Sequence, residues 1–461
     1  MRTLIRGGTV VNATGPVVAD VLITGETIGA VTEPGLITVA DEEVDATGKY
    51  VIPGGIDAHT HMEMPFGGTY SSDTFATGTT AAAWGGTTTI IDFAVQKKGT
   101  SLLATLDAWH EKADGHCAVD YGFHMIVADV DDQSLKEMQS CIDQGVNSFK
   151  MFMAYPGVFY ATDGEILRAM QRATETGALI MMHAENGIAI DELVAEALAA
   201  GHIDPVQHGL TRPPELEGEA TSRAIQLARV TGAPLYIVHL SARHALEAVA
   251  EARDTGQNVF AETCPQYLYL SLDDLAKPDF EGAKYVASPP LRTKDHQQDL
   301  WRGLRTNDLS VVSTDHCPFC FKDQKELGRS DFSKIPNGMP GVEHRMDLLH
   351  QGVVAGEISP ARWVEIASTT PARMFGLYPR KGVIAPGADA DVVVYDPNAK
   401  QTISAATHHM NVDYSAYEGM EITGKVDVVF SRGTKVIADG AFHGKEGHGR
   451  FLSRELSQYL L

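Results

Sequence analysis

No stretch of the chain is apolar for the roughly 20 residues that a membrane-spanning helix needs, so no membrane partner is expected. The N-terminus, Met1-Arg2-Thr3-Leu4-Ile5-Arg6-Gly7-Gly8, has neither the apolar core nor the cleavage site of a secretory signal. Cysteine is scarce: five residues, odd in number and scattered, which argues against a disulfide framework and fits a reducing cytoplasm. Basic residues are outnumbered 37 to 60, for a net charge of −23. Bulk charge therefore does not draw the chain to nucleic acid or to an anionic surface, and no nucleic-acid partner is expected. Also missing are a G-x-G-x-x-G or P-loop phosphate cradle, an internal repeat and any low-complexity tract. What is present is a 461-residue chain, 44% hydrophobic and 21% charged, with 18 histidines. That balance is ordinary for a folded globular protein.

The first fifty residues read as short strands with Gly-rich punctuation: Thr3–Ile5, Thr9–Val11, Val18–Ile23 and Thr27–Val31. So do Ala390–Tyr395, Ile422–Gly424, Val426–Ser431 and Thr434–Ala438 near the other end. Neither group is large enough for its own core, so the two are expected to meet in one β-sandwich, residues 1–52 with 379–445. Between them, over 53–378, eight β-rich runs recur: Gly55–His61, Thr87–Phe93, Val119–Met125, Ser148–Met153, Ala178–Glu185, Leu235–Leu240, Val259–Thr263 and Ser310–Asp315. Helical patterns such as Leu102–Ala113, Asp163–Thr176, Glu219–Thr231 and Arg243–Asp254 alternate with them. Eight such units predict an α/β fold, a (β/α)8 TIM-type barrel; a doubly wound sheet is the competitor. A tail, 446–461, carries Leu452, Leu456, Tyr459 and Leu460 as a surface for a neighbouring subunit.

His59-Thr60-His61 ends the first barrel run. Residues i and i+2 of a strand share a face, so both imidazoles aim into the barrel mouth and suit a zinc-type ion. Asp57, on that face, is expected to orient one of them. His183 ends the fifth run, His239 the sixth and Asp315 the eighth. Taken singly, each also reads as a polar residue where a strand meets solvent. Together, five metal-competent side chains at C-terminal strand ends, where barrels build their active sites, point to a metal centre. Lys150 shares a strand face with Ser148 and Phe152. It has two readings. One is a lysine snorkelling to the rim. The other is an amine carboxylated by carbon dioxide, whose carbamate oxygens bridge two metals about 3.5–4 Å apart. Cys317-Pro318-Phe319-Cys320 has no second pair and reads as loop cysteines near the site mouth.

The stretch Gly54-Gly55-Ile56-Asp57-Ala58-His59-Thr60-His61-Met62-Glu63-Met64-Pro65-Phe66-Gly67-Gly68-Thr69 resembles the first-strand signature of the D-hydantoinase and dihydropyrimidinase branch of the amidohydrolase superfamily. Ser148-Phe149-Lys150-Met151-Phe152-Met153-Ala154-Tyr155 resembles its carboxylated-lysine strand. Thr314–Phe319, Ile335–Glu343 and Gly387–Val393 resemble its later motifs, so the likeness extends over essentially the whole chain.

The resemblance implies two zinc ions per subunit, or other divalent metals. His59, His61, Lys150 and Asp315 would hold one, and Lys150 (as N6-carboxylysine), His183 and His239 the other. It also implies a bridging hydroxide nucleophile, with Asp315 taking and returning its proton. Tyr155 would donate to the developing oxyanion, its rival reading being an aromatic lid. Ser288 and Asn337 would bind a cyclic imide largely through backbone groups, although Ser288-Pro289-Pro290 and Pro336-Asn337-Gly338 read equally as plain turns. Phe66, Phe152 and Phe159 would wall a pocket for the ring's exocyclic substituent, or simply pack the loops. Met62 and Glu63 follow the histidine pair where dihydroorotases carry an arginine, which favours a neutral ring.

The implied activity is hydrolytic opening of 5-monosubstituted hydantoins to N-carbamoyl amino acids, of dihydropyrimidines to N-carbamoyl β-amino acids, or both. One alternative is a dihydropyrimidinase acting on dihydrouracil or dihydrothymine. The other is a non-catalytic scaffold like the collapsin-response mediator proteins, which lack the metal ligands; here all six ligand positions are filled. A homotetramer is implied as well.

Overall fold

In a computed structural model of the protein, residues 1–459 are described; Leu460, assigned above to a subunit contact, lies outside the described residues. Eight strands, Gly55–Thr60, Thr87–Val95, Asp120–Ile126, Ser148–Phe152, Leu179–His183, Leu235–Ile237, Val259–Thr263 and Val311–Val312, pair in chain order, each parallel to the next. The first and last do not form a ladder. They meet through His61 N–H to the His316 carbonyl (2.8 Å) and His316 N–H to the His59 carbonyl (3.3 Å), which closes the barrel.

All strand residues except Val95 are buried, as expected where helices cover one face of a parallel sheet and side chains fill the other. Ile56, Ile91, Phe93, Leu179, Met181 and Tyr236 pack the barrel interior. Ile90, Ile180 and Ile237 join the layer beneath the helices. The sequence patterns set several helix ends. Thr162 Oγ1 accepts from Glu165 N–H (3.3 Å) while Glu165 Oε2 accepts from Thr162 N–H (2.7 Å), and Gly177 at φ 76° ends that helix. The helix expected at Glu219–Thr231 starts earlier, spanning Pro214–Thr231. Pro214 occupies its first turn, where a missing N–H costs nothing.

The chain ends build one mostly antiparallel nine-stranded sheet. Arg2–Asn12, Gly15–Thr24 and Thr27–Thr32 form a meander, and Tyr50–Pro53 lies beside the first of them. Tyr50–Pro53 then pairs antiparallel with Val392–Tyr395, joining the N-terminal strands to Val392–Thr402, Glu421–Ser431 and Thr434–Ala438. Ile5, Val21, Val51, Val392, Val428 and Phe430 share its core. Thr3–Ile5 and Thr9–Val11 are one strand interrupted by an irregularity between Ile5 and Gly8.

The tail returns across the barrel floor. Tyr121 N–H donates to the Arg450 carbonyl (3.1 Å) and Leu452 N–H to the Tyr121 carbonyl (2.7 Å). Leu452 enters the interior cluster, and Arg454 reaches the Phe123 carbonyl and the Ser148 hydroxyl. Leu456 stays exposed. The five cysteines are free. Among the described residues no helix is long and apolar enough to cross a membrane.

Candidate active site

Six ligand candidates converge at the C-terminal end of the barrel. Asp315 Oδ1 lies 3.1 Å from His59 Nε2 and 3.2 Å from His61 Nε2. Their donor atoms sit within 4.8 Å of one another, close enough for one ion. Lys150 Nζ is 2.9 Å from His59 Nε2 and 4.3 Å from the centre of the Phe93 ring. The His239 ring lies 5.3 Å from that of His59 and 4.5 Å from that of His183. Lys150 is thus a buried lysine among four histidines and a carboxylate, an arrangement that two metal ions sharing an anion at Lys150 would account for. Two buried atoms, His61 Nδ1 and His239 Nδ1, have no hydrogen-bond partner among the described residues. The donor set of imidazole nitrogens and carboxylate oxygen suits zinc and similar divalent ions.

Burial, reinforced by Lys150, holds His59 well below the ordinary imidazole pKa, and burial lowers His61 as well. Burial and His183 do the same for His239. These imidazoles are neutral at neutral pH, the form a metal requires. Burial brings Lys150 down to about 8, against the pull of Asp315 and Glu262. Burial opposes the charge of Asp315, yet His59 and the hydrogen bond to His61 hold its pKa at about 2. His239 (φ 38°), Asp315 (φ 53°) and Tyr155 (φ 61°) are all in the left-handed region. Such backbone costs about 1–3 kcal/mol each and persists where surroundings over-determine it.

The orienting groups differ from the expectation. Asp57 reaches no imidazole: it accepts from the backbone N–H of His59 (3.2 Å) and Thr314 (3.1 Å) and from the Thr314 hydroxyl (2.5 Å). It thus ties the first strand to the chain following the eighth. Glu262, unassigned from sequence, takes the orienting position. Its Oε1 bonds His59 Nδ1 and the His239 N–H (3.2 Å), and its Oε2 accepts from the Tyr236 hydroxyl (2.9 Å). Glu185 Oε2 meets His183 Nε2 at 2.7 Å, leaving Nδ1 as the available donor. A glutamate inside the otherwise uncharged buried run Val259–Thr263 was the available signal.

A small cavity opens over this cluster, lined by His61, Lys150, His183, His239 and Asp315, with His59 just behind. Tyr155, Ser288 and Asn337 line the same cavity. Asn337 Nδ2 donates to the Tyr155 oxygen (3.3 Å) and to Ser288 Oγ (3.1 Å). Burial, with Glu185, pushes the Tyr155 phenol up to about 12, so it keeps its proton. Phe66, Phe152 and Phe159 complete the wall: Phe152 stacks on Phe159 at 5.0 Å and Phe66 lies parallel to Phe159 at 6.4 Å. Cys317 lines the cavity, while Cys320 contacts the Asn411 carbonyl outside it. Sequence reading also missed His208, whose Nε2 sits 2.8 Å from the Ala287 carbonyl and 3.2 Å from Ser288 Oγ.

Residues 50–436 match the model of the amidohydrolase family. The chain is 66% identical to a D-hydantoinase of Streptomyces coelicolor over 463 residues, covering 100% of this chain and 99% of that one. It is 52% identical to a D-hydantoinase of Geobacillus stearothermophilus, over 98% of this chain and 97% of that one. Among solved structures, a dihydropyrimidinase from Brevibacillus agri superposes with a TM-score of 0.98 at 52% identity, over 99% of both chains. An L-hydantoinase (dihydropyrimidinase) from Arthrobacter aurescens superposes at 0.90 and 30% identity, covering 98% of this chain and 99% of that one. A barrel with its ligand set at the C-terminal strand ends, matched along its whole length, places the chain in the amidohydrolase family.

Proposed function

We propose that the chain is a binuclear metal hydrolase that opens cyclic imides, 5-monosubstituted hydantoins and dihydropyrimidines, to N-carbamoyl amino acids and N-carbamoyl β-amino acids. The observation that carries this is one cavity in which His61, Lys150, His183, His239 and Asp315, backed by His59, share the lining with Tyr155, Ser288 and Asn337. His59, His61, Lys150 and Asp315 would hold one ion, and Lys150, His183 and His239 the other. Bound divalent ions, zinc foremost, supply Lewis acidity and a water that ionises near neutral pH.

The chain's own residues do the rest. Lys150, carboxylated on Nζ, contributes an anion with two oxygens between the two sets of nitrogen ligands. Asp315, ionised through the working pH range, accepts a proton on its carboxylate and returns it to the leaving ring nitrogen. Tyr155 keeps its hydroxyl proton and donates it in a hydrogen bond to the oxyanion. The Asn337 amide, donating into the phenol oxygen, sharpens that donor. Ser288 and Asn337 bind the imide through their backbone groups, and the three phenylalanines receive the ring substituent.

A second reading, dihydropyrimidinase as the physiological role, is favoured by the likeness to the Brevibacillus agri structure. The division into residues 1–52 with 379–445, 53–378 and a tail of 446–461, a homotetramer, and a cytoplasmic setting consistent with five free cysteines belong to the same proposal. The test is a panel of dihydrouracil, 5-alkyl and 5-aryl hydantoins, allantoin and dihydroorotate, with metal analysis of the purified protein. Ring opening of a hydantoin or dihydrouracil by metal-loaded protein is expected. A metal-free protein inert to every ring would favour a scaffold instead.

A further inference from the structure

Lys325 is fully buried in the excursion between the eighth barrel strand and Asn337. Its Nζ donates to three backbone carbonyls, Val286 (2.8 Å), Pro336 (2.7 Å) and Gly338 (2.7 Å). Two of these flank Asn337, and the third lies two residues before Ser288. The same segments touch directly, through Gly338 N–H to the Val286 carbonyl (3.0 Å) and Asn337 Nδ2 to Ser288 Oγ (3.1 Å).

Three carbonyl oxygens turned toward one buried point repel one another and each needs a donor. An ammonium is the side-chain group that brings three donors to a point. Burial pushes the lysine's pKa down, and the three acceptors oppose this by favouring the charged form. Its backbone is anchored too: Lys325 N–H donates to the Cys320 carbonyl (2.9 Å). At Gly328, in the same turn, a Cβ would stand 2.1 Å from Ile335 Cγ1, so the turn lies tight against the chain leading to Asn337.

We infer that Lys325 is a positioning residue for substrate: its ammonium locks the Val286–Ser288 and Pro336–Gly338 segments in one register, so that Ser288 and Asn337 meet the ring together. This rests on the assignment of Ser288 and Asn337 to imide binding. Lys325 is not among the lining residues of the cavity over the metal cluster, so its removal should weaken ring binding more than the chemical step.

The test compares wild-type protein with Lys325→Met, Asn337→Ala and the double variant, on dihydrouracil and a 5-substituted hydantoin, with bound metal measured for each. Lys325→Met should raise KM roughly ten- to a hundredfold, with kcat changed less than about threefold, the range for leaving buried carbonyls unsatisfied. Metal content should not change. Asn337 Nδ2 to Ser288 Oγ ties the same two segments, so once Lys325→Met has released their register the loss of that tie should add nothing, and the double variant should be no worse in KM than the worse single variant. Unchanged KM in Lys325→Met, additive effects in the double variant, or a fall in kcat that tracks lost metal would each overturn the inference. If Lys325→Met does not fold, Lys325→Gln, which keeps an amide donor, enters the same cycle. Failure of both to fold would assign Lys325 to the fold alone and overturn the inference. Wild-type inactivity on both rings would sink the functional reading, and this one with it. An active wild type with an indifferent Lys325 variant would sink this one only.

Discussion

Glu262→Gln keeps the shape of a buried side chain and removes its ionisable carboxyl, whose pKa burial raises to about 7 and which a cation at His59 would hold as the anion. In the present arrangement one carboxylate serves three groups, His59 Nδ1, the His239 N–H and the Tyr236 hydroxyl. It therefore fixes the His59 tautomer that leaves Nε2 for a metal, and steadies the chain at a second ligand. An amide can still accept from His59 with its one oxygen, and the Tyr236 hydroxyl can turn to accept from the new NH2. What is lost is the anion that makes His59 a stronger donor. Orienting groups of this kind contribute about 10–100-fold to metal affinity, or about 1.4–2.8 kcal/mol. With its hydrogen bonds largely kept, the variant belongs near the lower end. The assay is titration of metal-stripped protein with zinc against a competing chelator, comparing dissociation constants for wild type, Glu262→Gln and Tyr236→Phe. Tyr236→Phe should have the smaller effect, since its hydroxyl touches only the far oxygen. Equal zinc affinity in Glu262→Gln and wild type would refute the orienting role.

Lys150→Ala should lose most bound metal and turnover while keeping its circular dichroism spectrum. Lys150→Arg should fare no better, because a guanidinium stays protonated and forms no carbamate; a metal-replete Lys150→Ala protein would contradict this. A short carboxylic acid should partly restore turnover to Lys150→Ala by filling the vacated bridge. Phe159→Ala should change the relative rates on alkyl and aryl hydantoins more than it changes the melting temperature, and an unchanged ranking would return Phe159 to loop packing. Dihydroorotate should be a poor substrate beside dihydrouracil, because Met62 and Glu63, and not an arginine, follow His61 and an unpaired buried charge costs several kcal/mol. Comparable kcat/KM values for the two rings would count against that view.

The barrel was legible because its strands are apolar runs separated by helical periodicity, and three helices, Leu102–Ala113, Asp163–Thr176 and Arg243–Asp254, have the bounds their patterns predict. The ligand candidates were legible only as a set: one polar residue at a strand end meets solvent in the ordinary way, but five metal-competent ones coincide where barrels build their sites. The supporting groups were not. Glu262 is 203 residues from His59 and His208 is 80 from Ser288, and neither spacing carries a local signal. Asp57 shows the limit of face-sharing arguments: it lies two residues from His59 but spends its oxygens on backbone and on Thr314, because burial makes those N–H groups the more urgent partners. The eighth strand, expected over Ser310–Asp315, is only Val311–Val312. Asp315 at φ 53° has already left extended geometry to present its carboxylate.

The pairing of Tyr50–Pro53 with Val392–Tyr395 sets a timetable for a chain emerging from a ribosome. One edge of Tyr50–Pro53 finds its partner only after the whole barrel has been synthesised. At about 5–20 residues per second, the 338 residues between Pro53 and Val392 take roughly 17–70 s. Throughout that interval the N-terminal strands lack the C-terminal half of their shared core, and their apolar segments, Tyr50–Pro53 among them, stay open to other chains. Yield on overexpression should therefore depend on how quickly that edge is covered, with slower elongation lengthening the exposure.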